Sequence, residues 1–382
     1  MWIYLIVFLI PLLFFLVDNK NNRSNSTVLF VYFLFLALFV GVSDMLGGYD
    51  RYIYCELFDG LADDIREGSN PFLSIGFLFY GGEKGYGLLT IIIAFLTSNR
   101  YIFILIVTLV IYAMLFVSIK RYTKDHPVAV MLFLGLWFFF TFTYLRQVLG
   151  ATIAWLSIRY IVKRDFWRFV LVWFIAFMFH NSALIFLPFY FVPIKKFKPQ
   201  YVVLAMLLCL IIGLSNISLS LFESYSAISS QRSNVEGYVV DGGFRGAYMI
   251  EAVVFLFLIL IPYKRIKKDP QEIVLLNMAL AFCAILLLFA KSENGGRLSW
   301  YYMIGIVATL SNITLRYKRS SVYSLGVALL SFMLFLRITI SWGVLLRPYK
   351  TFFTEGVREK DYIEQKYEYD HGYDRDKFYR KW

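Results

Sequence analysis

Apolar runs succeed one another along this chain from its first residues to about position 345, with polar residues confined to short breaks between them. The runs are Trp2–Val17, Val28–Val42, Tyr101–Ile119, Val128–Leu145, Val148–Val162, Phe169–Val192, Tyr201–Phe222, Ala247–Pro262, Ile273–Ala290, Leu298–Leu315 and Val322–Leu345. A helix that crosses a bilayer needs about 20 predominantly apolar residues, within a range of roughly 17–25, and the runs fall around that length. A further piece, Leu88–Leu96, is too brief to span and is expected to be re-entrant or interfacial.

Lys and Arg in the breaks set the orientation, because basic loops stay on the cytoplasmic side. The clusters Lys20–Arg23, Lys120–Lys124, Lys163–Arg168, Lys195–Lys198, Lys264–Lys268 and Arg316–Arg319 are therefore expected in the cytoplasm. The stretch Asp44–Tyr86 holds eight acids and three bases and belongs outside, as do Glu223–Arg245 and Lys291–Arg297, which also places the N-terminus outside. One conflict arises at Phe169–Val192, a single apolar run between two basic loops. If both loops are cytoplasmic, the run must enter and return as a hairpin that turns at the polar trio His180-Asn181-Ser182. Thirteen helical residues rise about 20 Å, enough to approach the far interface. A single span with the Lys195 cluster outside is the alternative, and the hairpin is favoured.

Composition agrees with a lipid setting. Of the 382 residues 59% are hydrophobic, 20% aromatic and only 17% charged, against about 25% charged in a soluble domain, and the mean hydropathy is +0.64. The net charge of +12 sits at helix ends and not on a contiguous basic stripe, which argues against nucleic acid as a partner. Cys55, Cys209 and Cys283 have no CxxC spacing and no paired histidines nearby, so neither a disulfide framework nor a cysteine metal site is expected. The first run lacks a basic leader and a cleavage site and reads as an uncleaved helix. Residues 1–345 form the membrane domain, with an extracytoplasmic loop at 44–86. Residues 346–382 form a polar tail, which from Arg347 onward carries nine bases and eight acids and shows no preference for either side.

Charges inside apolar runs are costly and usually functional. Arg146 and Gln147 interrupt the apolar stretch from Val128 to Val162, and Arg297 follows Gly295-Gly296 at an outer turn. His180 sits at the hairpin tip. Asp50, Arg51 and Glu83 lie in the acidic outer segment, where Gly47-Gly48-Tyr49-Asp50 makes a tight turn beside aromatic rings able to stack on sugars. Plainer readings exist for each: Arg146 as a snorkelling anchor or ion-pair partner, His180 as a helix cap, and the acids from Asp59 to Glu67 as a solvated face. Arg337, deep in the last run, is either an interhelical pair or part of a lipid-phosphate pocket. The topology brings Arg51, Arg146, Arg297 and His180 to one side, where guanidinium groups suit a phosphate or pyrophosphate through planar bidentate bonds. Walker, HExxH, GxSxG and Rossmann motifs are absent, and no spacing calls for a metal or cofactor.

The segments Gly47-Gly-Tyr-Asp-Arg-Tyr-Ile-Tyr54, Glu83-Lys-Gly-Tyr-Gly87, Leu145-Arg-Gln-Val-Leu149, Phe179-His-Asn-Ser-Ala-Leu-Ile185 and Asn294-Gly-Gly-Arg-Leu-Ser-Trp-Tyr-Tyr302 occur in the order seen in the EpsG family. The likeness covers residues 1–345. The resemblance implies an all-α, GT-C-like polytopic transmembrane helical bundle, with about 10–12 membrane segments once re-entrant pieces are included. It also implies a Wzy-like polymerase of exopolysaccharide, capsule or O-antigen in a bacterial plasma membrane. Such an enzyme joins repeat units carried on undecaprenyl pyrophosphate after a flippase has turned them over, with a chain-length regulator as a further candidate partner. The residues it singles out are Asp50, Glu83, Arg146, Gln147, His180 and Arg297. Many relatives carry an arginine shortly before the glycine–aspartate turn, where this chain has Ser43-Asp44, and Arg51 is the candidate replacement.

On this reading Arg146, Arg297 and Arg51 bind pyrophosphate, while Glu83, Gln147 and Tyr49 bind sugar. His180 or Asp50 is the general base, with His180 ahead because an imidazole titrates near neutrality. A flippase of lipid-linked oligosaccharide and a membrane acyltransferase that decorates the glycan are the other two readings. The flippase predicts a central polar cavity, and the acyltransferase predicts a catalytic residue reachable from the cytoplasm.

Overall fold

Backbone amides in an apolar medium have no water to bond, so apolar runs satisfy them internally as helices. The computed structural model describes residues 2–17, 23–228, 244–292, 295–356 and 372–380, and among these the one strand-like pairing is a bridge between Ser43 and Thr351. The longer helices are α1 (Trp2–Leu16), α2 (Ser26–Gly41), α3 (Tyr49–Arg66), α4 (Lys84–Ala94), α5 (Arg100–Tyr122), α6 (His126–Leu136), α7 (Leu145–Leu156), α8 (Phe166–Phe179), α9 (Pro199–Leu214), α10 (Ile217–Ile228), α11 (Gly246–Leu260), α12 (Pro270–Leu288), α13 (Met303–Thr314) and α14 (Val322–Ser341). The chain is a polytopic helical membrane protein. Helices α5, α12 and α14 are long and apolar enough to cross a bilayer alone; the other apolar helices are shorter.

Polar side chains start these helices where the apolar runs begin. Asn25, Asn99, Asp165, Asp269 and Ser321 each accept a backbone N–H of the first turn, which satisfies donors that would otherwise be orphaned. Every residue of α6 and of α13 is buried, which puts both at the centre of the bundle, where Ser311, Asn312 and Thr314 of α13 bond to protein carbonyls. In α9 only Val202, Met206 and Gly213 are buried, so it lies at the rim.

Five of the basic clusters meet at one end of the bundle. Lys124 N–H donates to Asn312, and Arg319 grips Asp125 with bonds of 2.6 and 2.8 Å. Arg316 pairs with Glu272, and Lys196 donates to the carbonyls of Tyr263 and Ile266. Arg164 donates to the carbonyls of Tyr190 and Val192. The sixth cluster, Lys20–Arg23, lies mostly outside the described residues.

The hairpin expected at 169–192 is present. Helix α8 ends at Phe179, His180 turns the chain, and a 3-10 helix, Asn181–Phe191, returns along it. Tyr190 packs on Phe169 at 4.9 Å and on Phe166 at 5.2 Å. The unequal arms close flush because 14 α-helical residues rise about 21 Å and 11 residues of 3-10 helix about 22 Å.

Several sequence boundaries need correction. The run Val128–Leu145 is not one helix: α6 stops at Leu136 and a 3-10 turn, Phe138–Phe142, leads into α7. Leu298–Leu315 divides into a 3-10 helix, Gly295–Tyr302, and α13, and Tyr201–Phe222 breaks at Ser215 into α9 and α10. The acidic stretch 44–86 is folded, with α3 and α4 packed into the body. Asp59, expected on a solvated face, is buried against Arg100. The tail is likewise docked. Tyr373 is buried under the Arg100 guanidinium, Lys377 pairs with Asp44 at 3.2 Å, and Arg380 pairs with Asp63 at 3.0 Å. The described part of the tail thus shares an end with 44–86, opposite the basic clusters.

Candidate functional site

Five of the helix starts at the end of the bundle away from the basic clusters surround one group of side chains, and each brings a polar residue in or beside its first turn. Asp50 opens α3, Glu83 precedes α4, Arg146 opens α7, Asn181 opens the returning arm of the hairpin, and Arg297 opens the 3-10 helix Gly295–Tyr302. Helix N-termini carry unpaired N–H groups and a partial positive charge, which makes them favourable places for anions. The turn before α3 is made by Gly47 and Gly48 at φ 102° and 95°. A Cβ at Gly47 would fall 2.5 Å from Phe142 Cβ, so only glycine fits there.

Glu83 is the hub. Its side chain is 8% exposed and bonds to the Arg146 guanidinium, accepts the Asn181 backbone N–H at 3.1 Å, and lies 3.8 Å from His180 Nε2. Arg146 also donates from Nε to Tyr54 Oη at 3.3 Å, and its guanidinium lies over the Tyr54 and Tyr80 rings. Burial pushes the Tyr54 phenol well above its usual range, with Arg146 pulling the other way, so Tyr54 stays neutral. Held by these contacts, Arg146 still leaves 24% of its side chain open.

His180 is fixed from behind. The Ser182 backbone N–H donates to Nδ1 at 3.2 Å, and Ser182 Oγ lies 2.5 Å from the same nitrogen and 2.9 Å from Tyr301 Oη. A backbone donor facing Nδ1 makes that nitrogen the acceptor, so the neutral ring carries its proton on Nε2, the side facing Glu83. Arg297 is half-buried, donates to Tyr144 Oη at 3.0 Å and stacks on that ring at 4.3 Å. Gln147 Nε2 donates to the Arg297 carbonyl at 3.2 Å, which ties the second arginine to the helix that bears the first. Trp300 and Trp342 flank Tyr144 at 5.5 and 6.3 Å and extend an aromatic wall beside Arg297.

Of the residues singled out by sequence, Glu83, Arg146, Gln147, His180 and Arg297 come together. Asp50 stands at the edge of the group, one helical turn before Tyr54 on α3. Arg51 does not join them. It is 1% exposed and donates to the carbonyls of Ser43 at 2.8 Å and of Val40, Leu46 and Phe142 at 3.4 Å. Its guanidinium thus closes the turn between α2 and α3, and this corrects its expected role as a pyrophosphate ligand. The Tyr49 side chain and Asn294 lie outside the described residues. Sequence reasoning does not single out Tyr54, Tyr80, Tyr144 and Tyr301, because single tyrosines carry little signal in a chain that is one-fifth aromatic, and it marks Ser182 only as part of the hairpin turn. Among the described residues no group of three or more His, Cys, Asp or Glu is arranged to hold a metal ion.

Two partly open guanidinium groups, a buried carboxylate, a proton-bearing imidazole and several helix N-termini suit a doubly charged oxyanion bound beside a hydroxyl-rich ligand. The EpsG family profile matches residues 27–351, a stretch that holds every element around this cluster. No curated protein and no solved structure matches the chain. The chain therefore belongs to the EpsG family and is an exopolysaccharide-associated membrane protein.

Proposed function

We propose that the protein is a glycosyltransferase of a bacterial plasma membrane, which polymerises oligosaccharide repeat units carried on undecaprenyl pyrophosphate at the extracytoplasmic face. The observation that carries this reading is the pair Arg146 and Arg297, joined through Gln147 and partly open, at the end opposite five basic clusters. Under the positive-inside rule those clusters face the cytoplasm, which puts the site outside. That placement also weighs against an acyltransferase served from the cytoplasm.

In the proposed reaction a hydroxyl oxygen of the acceptor unit attacks the anomeric carbon of the donor glycan. The carbon–oxygen bond to pyrophosphate breaks, and the polyprenyl pyrophosphate leaves with the bonding electron pair. Arg146 and Arg297 bind the diphosphate oxygens where negative charge grows, and such preorganised donors commonly supply the largest share of catalysis. The acceptor proton must go to a base. With Nδ1 engaged and the proton on Nε2, neutral His180 is arranged to donate a hydrogen bond to substrate oxygen, which moves Asp50 ahead of it as proton acceptor. Glu83 holds Arg146 and the hairpin tip in register.

The test is a lipid-carrier profile of cells that carry single substitutions. Arg146→Ala and Arg297→Ala should accumulate single repeat units on the lipid and lack long chains, while the protein still inserts in the membrane. Chains of wild-type length in both would overturn the proposal. Units trapped on the inner leaflet would favour a flippase.

A further inference from the structure

We propose that Arg337 and Glu251 form a second lipid-phosphate site, which holds the pyrophosphate of the acceptor substrate. The inference rests on the polymerase reading, and that reading requires it: donor and acceptor each carry a polyprenyl pyrophosphate, whereas the Arg146–Arg297 cluster accounts for one.

Arg337 lies within α14, where a charge facing lipid is costly and calls for a use. Its partner among the described residues is Glu251 of α11, through one bond of 3.3 Å. Glu251 is 11% exposed, while Arg337 is 49% exposed. A guanidinium has five N–H donors, so one inward bond leaves most of them facing outward.

A closed structural pair in the same protein looks different. Arg319 meets Asp125 through two bonds of 2.6 and 2.8 Å, and both groups are buried. The Arg337 pair is single, longer and half-open, as expected of a cation that is oriented by its acid and still able to take a ligand.

Depth and position agree with this role. Arg337 is four residues before the end of α14, about 6 Å along the axis, and Glu251 is five residues inside α11, about 7.5 Å. Both ends belong to the face that carries the first site: beyond α14 the Leu345 carbonyl accepts the Gly47 N–H, and at the start of α11 the Arg245 N–H donates to the Ala290 carbonyl. The pair therefore lies one to two turns inside the outer ends of the helices, from where the long Arg337 side chain can snorkel toward the level of a lipid's phosphate. Helix α11 also links the two sites. Tyr248, one turn before Glu251, packs against Gly296, whose Cβ would fall 2.4 Å from the Tyr248 ring, and Arg297 is the next residue. Acceptor and donor diphosphates would thus flank one helix, with their glycans leading to a common surface.

The full chain in detergent, probed with farnesyl pyrophosphate and separately with phosphatidylglycerol, tests the proposal by native mass spectrometry. Removing Arg337 alone strands a buried carboxylate and risks unfolding, so the informative variant is the neutral pair R337Q/E251Q. Wild type should bind two farnesyl pyrophosphates. R337Q/E251Q should bind one tightly and the second about tenfold to a hundredfold more weakly, as expected for a lost charged hydrogen bond. E251Q alone should tighten the second, because a competing carboxylate is gone, whereas a purely structural pair would show loss in both variants. Unchanged binding of two by R337Q/E251Q would overturn the inference, and so would an equal loss of phosphatidylglycerol, which would make this a site for bulk lipid. R146A/R297A should also bind one; if it binds two, the donor site fails and the Arg337 result stands apart from it.

Discussion

Neutralising Glu83 and Arg146 singly and together separates an ion pair that only holds the fold from one that also serves a substrate. Breaking a fully buried pair from one side costs about 3–5 kcal/mol, whereas an exposed pair contributes under about 1. Glu83 is almost closed and Arg146 is a quarter open, so the expected loss for Arg146→Gln lies between these limits, at about 2–3 kcal/mol, because it strands the carboxylate. Glu83→Gln should lose less, about 1–2 kcal/mol, since the amide oxygen can still accept the Asn181 N–H and the arginine can find water. In the double variant no charge is left unpaired. It should be more stable than the sum of the single losses by about 1.5–3 kcal/mol, the coupling seen between residues in contact.

Activity should not follow stability. Arg146→Gln and the double variant both lack the guanidinium proposed to meet the diphosphate, so both should polymerise about tenfold to a hundredfold more slowly, the equivalent of one charged hydrogen bond. The assay pairs thermal unfolding of purified protein with product-length analysis on reconstituted lipid-linked units. If the double variant recovers both stability and wild-type chain lengths, Arg146 is a structural partner of Glu83 and nothing more, and the assignment of the diphosphate to this cluster fails.

Three further outcomes are expected. Arg297→Lys should keep the charge and lose the planar fork and the stacking on Tyr144, so affinity for lipid-linked substrate should fall about tenfold, and full activity in a binding assay would contradict the bidentate role. Lys377→Ala should remove the ion pair to Asp44, in which each side chain is 3% exposed, and should lower the thermal unfolding midpoint; an unchanged midpoint would show that this pair does not hold the tail. In a chain cleared of Cys55, Cys209 and Cys283, cysteines at Ser69 and Tyr379 should react with an impermeant thiol reagent from outside the cell and one at Lys195 should not, all three positions being exposed. Reaction at Lys195 would reverse the orientation given to the hairpin.

The sequence made the apolar helices, the hairpin turn and most of the cluster legible, because charge in an apolar run is rare and its cost is large. The failures have physical causes. Phe138–Phe142 is almost wholly aromatic, so hydropathy does not register the change from α to 3-10 pitch there, and in Gly295–Tyr302 the residues after Arg297 run on into α13 without a charged break. Asp59 resembles its acidic neighbours in sequence, and its burial depends on Arg100 at the start of α5 and Tyr373 in the tail. Topology places Arg51 on the outer side with Arg146 and Arg297 but does not say which way it points, and adjacent helical residues point about 100° apart. That rotation sends Arg51 inward to the carbonyls around Ser43 while Asp50 stays at the edge of the site.

The broken helices and the anion site have a common cause. A helix that starts inside a membrane protein exposes N–H groups that lipid cannot satisfy, so such starts survive only where protein or a polar cavity covers them. Here five of them gather on one end of a bundle whose central helices, α6 and α13, are buried all round. First-turn N–H groups, which make such breaks unfavourable in lipid, are the kind of donor that favours an anion, and Arg146 and Arg297 add full charges to the same region. Glu83 offsets part of that positive potential without ligand, through the Arg146 guanidinium and the Asn181 N–H. A diphosphate bound as proposed would take up the N–H groups of Arg146 that Glu83 and Tyr54 leave open, since releasing the nearly closed Glu83 carboxylate would strand a buried charge.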